Sequence, residues 1–304
     1  MFPPLPAPLR ATIAVLSRTA PRTGGKALFE LFCRPPRVRL RTAEQRAIVA
    51  RDQERFERAT EHRATFAHGI IVWRTFAAPR DDALGTVALL HGFGSHGVFM
   101  AAFVNPLLDA GFDVVVPDLP GHGKSSGRRV HVAMAVDALL AMQAATGPWT
   151  ALVAHSFGGA VATAAVAGTI EGRTPLRLTR LVLIGVPESV PEIFDTFADW
   201  CGAGAGARRA MRARVPLLSG HPVEDFRGHL QLRQAGIPTL ALHATDDKEI
   251  AFSNADALSR AGTHVEVLPI PGAGHRRILR DETAIAATRD FIAAATPSHR
   301  PSLA

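Results

Sequence analysis

From about Thr65 onward, short apolar and β-branched runs alternate with longer stretches of helical spacing. The runs fall at Ile70–Phe76, Thr86–Leu90, Phe112–Val116, Ala151–Val153, Leu181–Ile184, Thr239–Leu242 and Val265–Ile270. Between them lie helix-compatible stretches at Val98–Ala110, Val130–Ala145, Phe157–Ala167 and Asn254–Ala261. Strands buried on both faces read as unbroken apolar runs, and strands separated by helical crossovers pair in parallel. The pattern therefore predicts an α/β fold with a mostly parallel central sheet flanked by helices. Ligands in such sheets bind beyond the carboxyl ends of the strands, so the residues just after each apolar run are where chemistry is expected.

Two segments depart from the alternation. Residues 1–63 form a basic, proline-containing extension in which Gly25–Cys33 and Thr42–Arg63 read as helices, the second opened by the capping-box pattern Thr42-x-x-Gln45. Its short apolar face around Leu28 and Phe32 favours packing against the main domain; the alternative is weak contact of the basic N-terminus with an anionic membrane surface. Residues 187–236 are too long for an ordinary connection and predict a helical lid insertion over the strand ends. The core is thus expected at 64–186 and 237–296, followed by a flexible tail at 297–304.

Composition narrows the class without naming a function. With 47% apolar and 20% charged residues, the chain is globular rather than disordered or fibrous. The formal charge of +7 belongs to residues 1–63, which hold 13 Lys+Arg against 6 Asp+Glu, whereas the remainder balances at 21 of each. Of the basic residues, all but Lys26, Lys124 and Lys248 are arginine, and no nucleic-acid-reading motif accompanies them; no nucleic-acid partner is expected. Cys33 and Cys201 make neither a disulfide framework nor a metal set, and no histidine pair has metal-ligand spacing, so neither metal nor cofactor is expected. The first residues lack a basic n-region, the apolar run Ala11–Leu16 is too short for a signal-peptide core, and the expected location is cytoplasmic.

The region after the fourth apolar run carries the most specific signal. After Ala151-Leu152-Val153 come Ala154-His155-Ser156-Phe157-Gly158-Gly159 and a helix of small residues. A strand that turns sharply into a helix strains its central residue and needs small neighbours two positions away on each side, here Ala154 and Gly158. Such a turn lifts the Ser156 hydroxyl clear of the sheet, with the helix N-terminus aimed at it. A serine nucleophile needs a base and the base an orienting acid. Asp246 and Asp247 follow the strand Thr239–Leu242, and His275 follows Val265–Ile270, giving the chain order Ser, Asp, His.

On these residues the region from about 65 to 295 resembles an α/β-hydrolase-fold serine hydrolase. His91-Gly92-Phe93-Gly94-Ser95-His96, with Asp118-Leu119-Pro120-Gly121-His122-Gly123, resembles its monoacylglycerol lipase and lysophospholipase-like branch. The resemblance implies Ser156 as nucleophile and His275 as general base. It implies Asp247 as the acid, because the family's small-x-x-Asp-x-x-aliphatic pattern falls on Ala244, Asp247 and Ile250. It further implies an oxyanion hole from the backbone N–H groups of Phe93 and Phe157, and a small-molecule ester with an apolar acyl chain as substrate. His91 and His122 are expected to brace the oxyanion turn, and His243 to pack at its strand end. His96, His155, Phe99 and the lid aromatics Phe194, Phe197 and Trp200 are candidate substrate contacts; for the aromatics the alternative is core filling. The cluster Arg208 to Arg214 reads as a solvated helix face or an attractor for an anionic group. Thioesterases, perhydrolases and carbon–carbon hydrolases share the same triad and stay open, as does a non-catalytic binding protein of the same fold.

Overall fold

The computed structural model describes residues 6–36, 42–79 and 82–294; the expected tail at 297–304 lies outside them. Three helices come first, α1 (Ala7–Thr19), α2 (Pro21–Phe32) and α3 (Ala43–Arg58). Proline opens α2 and stands in the first turn of α1, where its missing N–H costs nothing. The expected capping box forms at α3: the Thr42 hydroxyl accepts from Gln45 N–H at 3.1 Å, and the Gln45 side chain accepts from Thr42 N–H at 3.4 Å.

Helix α3 ends at Arg58, not Arg63, and the next residues form an unexpected strand, β1 (Thr60–Phe66), in antiparallel pairing with β2 (Gly69–Phe76). β1 is an edge strand with no fully buried residue, so it carries charged residues and no apolar run to announce it. The ladder to β2 imposes its conformation.

The rest of the sheet follows the expected alternation: β3 (Thr86–Leu90), α4 (Val104–Asp109), β4 (Asp113–Asp118), α5 (Val132–Thr146), β5 (Ala151–His155), α6 (Phe157–Ala167) and β6 (Arg180–Ile184). A second helical group, α7 (Val190–Cys201), α8 (Ala205–Arg212) and α9 (Pro216–Ser219), precedes α10 (Gly228–Ala235). The chain closes with β7 (Thr239–Ala244), α11 (Ser253–Ser259), β8 (Val265–Ile270), α12 (Gly274–Arg277) and α13 (Glu282–Ala293). The strand order is β1-β2-β4-β3-β5-β6-β7-β8, antiparallel at β1–β2 and β2–β4 and parallel from β4 to β8.

Alternate residues of each strand feed two cores. On one face Leu90, Val115, Leu152 and Leu183 meet Val136, Met142 and Val161 from α5 and α6. On the other Leu89, Val116, Val153 and Ile184 meet Phe56, Val104, Leu107 and Ile292 from α3, α4 and α13. The stretch expected as one helix over Val98–Ala110 begins as a 3-10 turn, Gly97–Phe103, before α4.

The insertion between β6 and β7 is helical, as its length predicts, but α10 packs on α6 and α11 in the core layer, so the cap is built from α7 to α9. Its two stalks pair with each other: Gly228 N–H donates to Glu188 O at 2.6 Å and Val190 N–H to Phe226 O at 3.1 Å. A third core joins this cap to the N-terminal helices. Ile13, Leu28, Phe29 and Cys33 pack with Phe194, Phe197, Cys201, Ala207 and Met211. Both cysteines are free and buried there, and burial pushes their thiols up, Cys33 to about 12 and Cys201 to about 11.

Gly25 is the close-approach point of this third core: a Cβ there would stand 2.4 Å from Ala210 Cβ and 2.6 Å from the Ala207 carbonyl oxygen. Gly25→Val must therefore push α2 off α8. The expected result is a loss of about 1–3 kcal/mol in urea unfolding, with the helical content of the folded state unchanged by circular dichroism.

Candidate active site

The turn from β5 into α6 puts Ser156 at φ 53° and ψ −123°, a region that L-residues rarely enter; among the described residues no other non-glycine has positive φ. Ser156 N–H is held by Ile184 O at 2.9 Å. Neighbouring backbone and side-chain atoms press close around the turn. A Cβ at Gly158 would lie 2.6 Å from His91 O, one at Gly159 2.1 Å from Val186 Cγ2, and one at Gly92 3.0 Å from Ser156 Cβ. Ala154, in register with Leu90 and Leu183, buries its methyl completely in the core. Its extra carbon relative to glycine is thus accommodated two residues ahead of the turn.

Three strand ends converge on this serine. Ser156 Oγ lies 3.1 Å from His275 Nε2, and His275 Nδ1 lies 2.7 Å from Asp247 Oδ2. With Nδ1–H donating to the carboxylate, Nε2 is the acceptor for the serine hydroxyl. The other carboxylate oxygen, Oδ1, accepts from Glu249 N–H at 2.8 Å and Ile250 N–H at 2.9 Å. Burial pushes the Asp247 carboxyl up, but the His275 hydrogen bond and the two backbone donors outweigh it and hold the group below the usual carboxylate range. Asp246 does different work: its Oδ1 accepts from Gly274 N–H at 2.9 Å, fixing the turn that carries His275 on α12. The adjacent pair is thereby divided into one acid inside the triad and one outside it.

The expected oxyanion residues flank Ser156. Phe93 and Phe157 rings pack edge to face at 5.6 Å, and neither backbone N–H is engaged by another group among the described residues. The turn bearing Phe93 is clamped to the loop after β4 by two histidines acting reciprocally. Leu119 N–H donates to His91 Nε2 at 2.9 Å, and Gly94 N–H donates to His122 Nε2 at 2.9 Å. Each Nδ1–H then donates to a carbonyl, Gly92 O at 2.8 Å for His91 and Pro120 O at 3.0 Å for His122. Both rings must be neutral to accept in this way; burial, reinforced at His91 by the neighbouring His122, pushes His91 down to about 3 and lowers His122 too. Asp118 completes the clamp by accepting from Gly97 N–H and Lys124 N–H, each at 2.8 Å. Asp118 stands in the conspicuous Asp-Leu-Pro-Gly-His-Gly run, whose spacing alone does not reveal that it ties two loops together.

The candidate substrate contacts are distributed otherwise than the sequence suggests. His155, the last residue of β5, points beneath the triad: it is buried, its ring lies 4.8 Å from that of His275, and its Nε2–H donates to the His275 carbonyl at 2.9 Å. Burial and the nearby His275 push it down to about 3. His96 and Phe99 rings meet edge to face at 4.9 Å. His96 lines a cavity of about 170 Å³, together with Phe56, Arg74, Val116 and Asp118, that no triad residue borders. Gly97, pinned by Asp118, sends this segment down the sheet face. Phe194 and Phe197 are buried against Phe29 and Phe32, with ring separations of 4.7 to 6.2 Å, and Trp200 packs on Phe197. They fill the cap core because the N-terminal helices cover them. His243 is buried at its strand end, with Nε2–H donating to Ile250 O at 2.9 Å. Among the described residues no three His, Cys, Asp or Glu side chains are grouped to hold a metal ion.

One neighbour of the site escaped the sequence. After α2 the chain is tied to the core by Val130 N–H donating to Cys33 O at 2.8 Å and by an Arg129–Glu30 ion pair at 2.7 Å. It then lays Pro36 on the turn bearing Phe93, where a Cβ on Gly94 would come within 2.8 Å of Pro36 Cγ.

This architecture is the α/β-hydrolase fold, and a family model for the alpha/beta hydrolase fold matches residues 85–214. The esterase domain of a Rhodothermus marinus protein aligns with a TM-score of 0.54 at 18% identity, covering 78% of this chain and 97% of that one. An esterase from Thermogutta terrifontis aligns at 0.57 and 20%, covering 79% and 100%. A serine hydrolase from the hydrocarbon degrader Cycloclasticus zankles aligns at 0.57 and 16%, covering 76% and 97%. No curated protein sequence matches the chain.

The buried histidines set a pH dependence of stability. Unfolded histidine takes up a proton near 6.5, whereas His91 and His155 in the fold resist protonation down to about 3. The unfolded state therefore gains protons first as pH falls; stability is full above about 6.5 and is lost progressively toward 3, by at most ~1.4 kcal/mol per pH unit for each ring. Urea midpoints should fall between about pH 7 and pH 5, and His155→Gln should start less stable but show a shallower decline.

Proposed function

We propose that this protein is a serine hydrolase that cleaves carboxylic esters through an acyl-enzyme on Ser156. The observation that carries the reading is the unbroken chain Ser156 Oγ, His275 Nε2, His275 Nδ1, Asp247 Oδ2, mounted on a serine whose backbone is held at positive φ. Resemblance of the His91–His96 and Asp118–Gly123 runs to the monoacylglycerol lipase and lysophospholipase-like branch supports an acyl ester as substrate.

As Ser156 Oγ attacks the acyl carbonyl, its proton passes to His275 Nε2, and the carbonyl oxygen becomes an oxyanion. Phe93 N–H and Phe157 N–H, both without another partner among the described residues, are the donors that meet it. Asp247, fixed by two backbone N–H groups, holds His275 with Nδ1 protonated and offsets the charge of the imidazolium. Collapse of the intermediate breaks the bond to the leaving alcohol, which takes the proton from Nε2. Water then enters, gives a proton to the same nitrogen and attacks the acyl carbon, and the carboxylic acid leaves as Ser156 recovers its proton. His155 supports the base from below by anchoring its carbonyl. The intact triad and its braced oxyanion turn favour catalysis over a non-catalytic binding role.

Turnover of p-nitrophenyl esters of graded acyl length, with fluorophosphonate labelling, tests the reading. Labelling and turnover are expected for the intact protein, with both abolished in Ser156→Ala; an intact protein that neither labels nor turns over any ester would overturn it. Asp247→Asn is expected to lower kcat by about 10⁴-fold, since the Glu249 and Ile250 N–H groups keep the amide oxygen and turn its NH2 toward Nδ1, which favours the wrong imidazole tautomer. Asp246→Asn retains an oxygen for Gly274 N–H and should stay within ~10-fold of the parent.

A further inference from the structure

We propose that the outer face of the α1–α2 hairpin is a docking surface for an anionic lipid bilayer. The inference rests on the ester-hydrolase reading only for what the docking would serve, and the surface itself is read from the hairpin. Residues 1–29 contain no Asp or Glu, and the first acidic residue of the chain, Glu30, is taken up by Arg129. Arg10, Arg18, Arg22 and Lys26 stand exposed on the two helices. Beside Arg18, Val15 is 57% exposed and stands off the face that buries Ile13 and Ser17, while Leu9, one turn before Ile13, is 40% exposed at the end of that buried face. Helix α1 thus spends Ile13 on the fold and leaves Val15 facing outward beside Arg18. Aliphatic groups flanked by arginines suit the interface of an anionic bilayer, where hydrocarbon inserts shallowly and each cation near the surface adds electrostatic attraction. No described helix is long and apolar enough to cross a membrane.

The position of the hairpin gives the docking a purpose. Its inner face holds the cap helices through Phe194, Phe197 and Met211, and its C-terminal end lays Pro36 on Gly94 of the oxyanion turn. A bilayer resting on the hairpin therefore lies against the same assembly that touches the Gly94 turn. The substrate class this favours is an acyl ester carried in that lipid surface rather than a freely diffusing ester.

Sedimentation of the full-length Ser156→Ala protein with vesicles tests this without turnover, so its outcome is separate from that of the labelling experiment. Binding is expected to vesicles of an equal mixture of phosphatidylcholine and phosphatidylglycerol and not to phosphatidylcholine alone. It should weaken as salt shortens the Debye length from about 10 Å at 0.1 M to about 3 Å at 1 M. R10E/R18E/R22E/K26E, checked for an unchanged thermal transition, should bind at least ~10-fold more weakly. If that variant does not fold, the lipid-composition and salt dependence of the parent still decide. Equal binding to both vesicles, no binding to either, undiminished binding by a folded charge-reversed variant, or tighter binding to duplex DNA than to the anionic vesicles would each overturn the proposal.

Discussion

Ser156 occupies a backbone conformation that costs on the order of 1–3 kcal/mol for a residue bearing a side chain, and much of the surrounding structure can be understood as what makes that conformation the only one available. The parallel ladder fixes Ser156 N–H on Ile184 O, and the helix that follows begins at once. Gly92, Gly158 and Gly159 let the β3 turn, the helix and the chain after β6 close in to distances at which a methyl group would collide. The same crowding that strains the serine brings the turn bearing Phe93 to its side. Strain and proximity are consequences of one packing arrangement.

Around that point the polar groups are arranged to be neutral or matched, never left charged and dry. His91 and His122 accept backbone N–H groups across the gap between two loops, a task open only to an uncharged ring. His155 lies under the triad as a neutral donor, and His243 anchors the Ile250 carbonyl beside the acid. The buried carboxylate, Asp247, has its charge met by three donors. Burial thus separates the histidines into four that hold loops and one, His275, placed between a hydroxyl and a carboxylate where it can move a proton.

The N-terminal helices belong to this arrangement rather than to a separate appendage. Glycine at position 25 lets α2 approach α8 closely, and the aromatic residues of α7 meet those of α2. Cap and hairpin form one small hydrophobic core, joined to the main domain through the paired stalks near Glu188 and Gly228 and through the Cys33–Val130 bond. Whatever displaces the hairpin displaces the cap with it.

By itself the sequence determined the alternation of strands and helices, the small-residue turn around Ser156, and the chain order of serine, acid and histidine. These are local or periodic properties: burial on both sheet faces leaves continuous apolar runs, and a sharp strand-to-helix turn demands small residues at fixed offsets. Tertiary structure alone decided the rest. The edge strand β1 is charged and half-exposed, so only its ladder to β2 reveals it. Asp118 and Pro36 act across loops distant in sequence, a relation that spacing does not encode. Phe194, Phe197 and Trp200 carry the same apolar signal whether they line a pocket or fill a core, and the choice between these was made by helices more than 150 residues earlier in the chain.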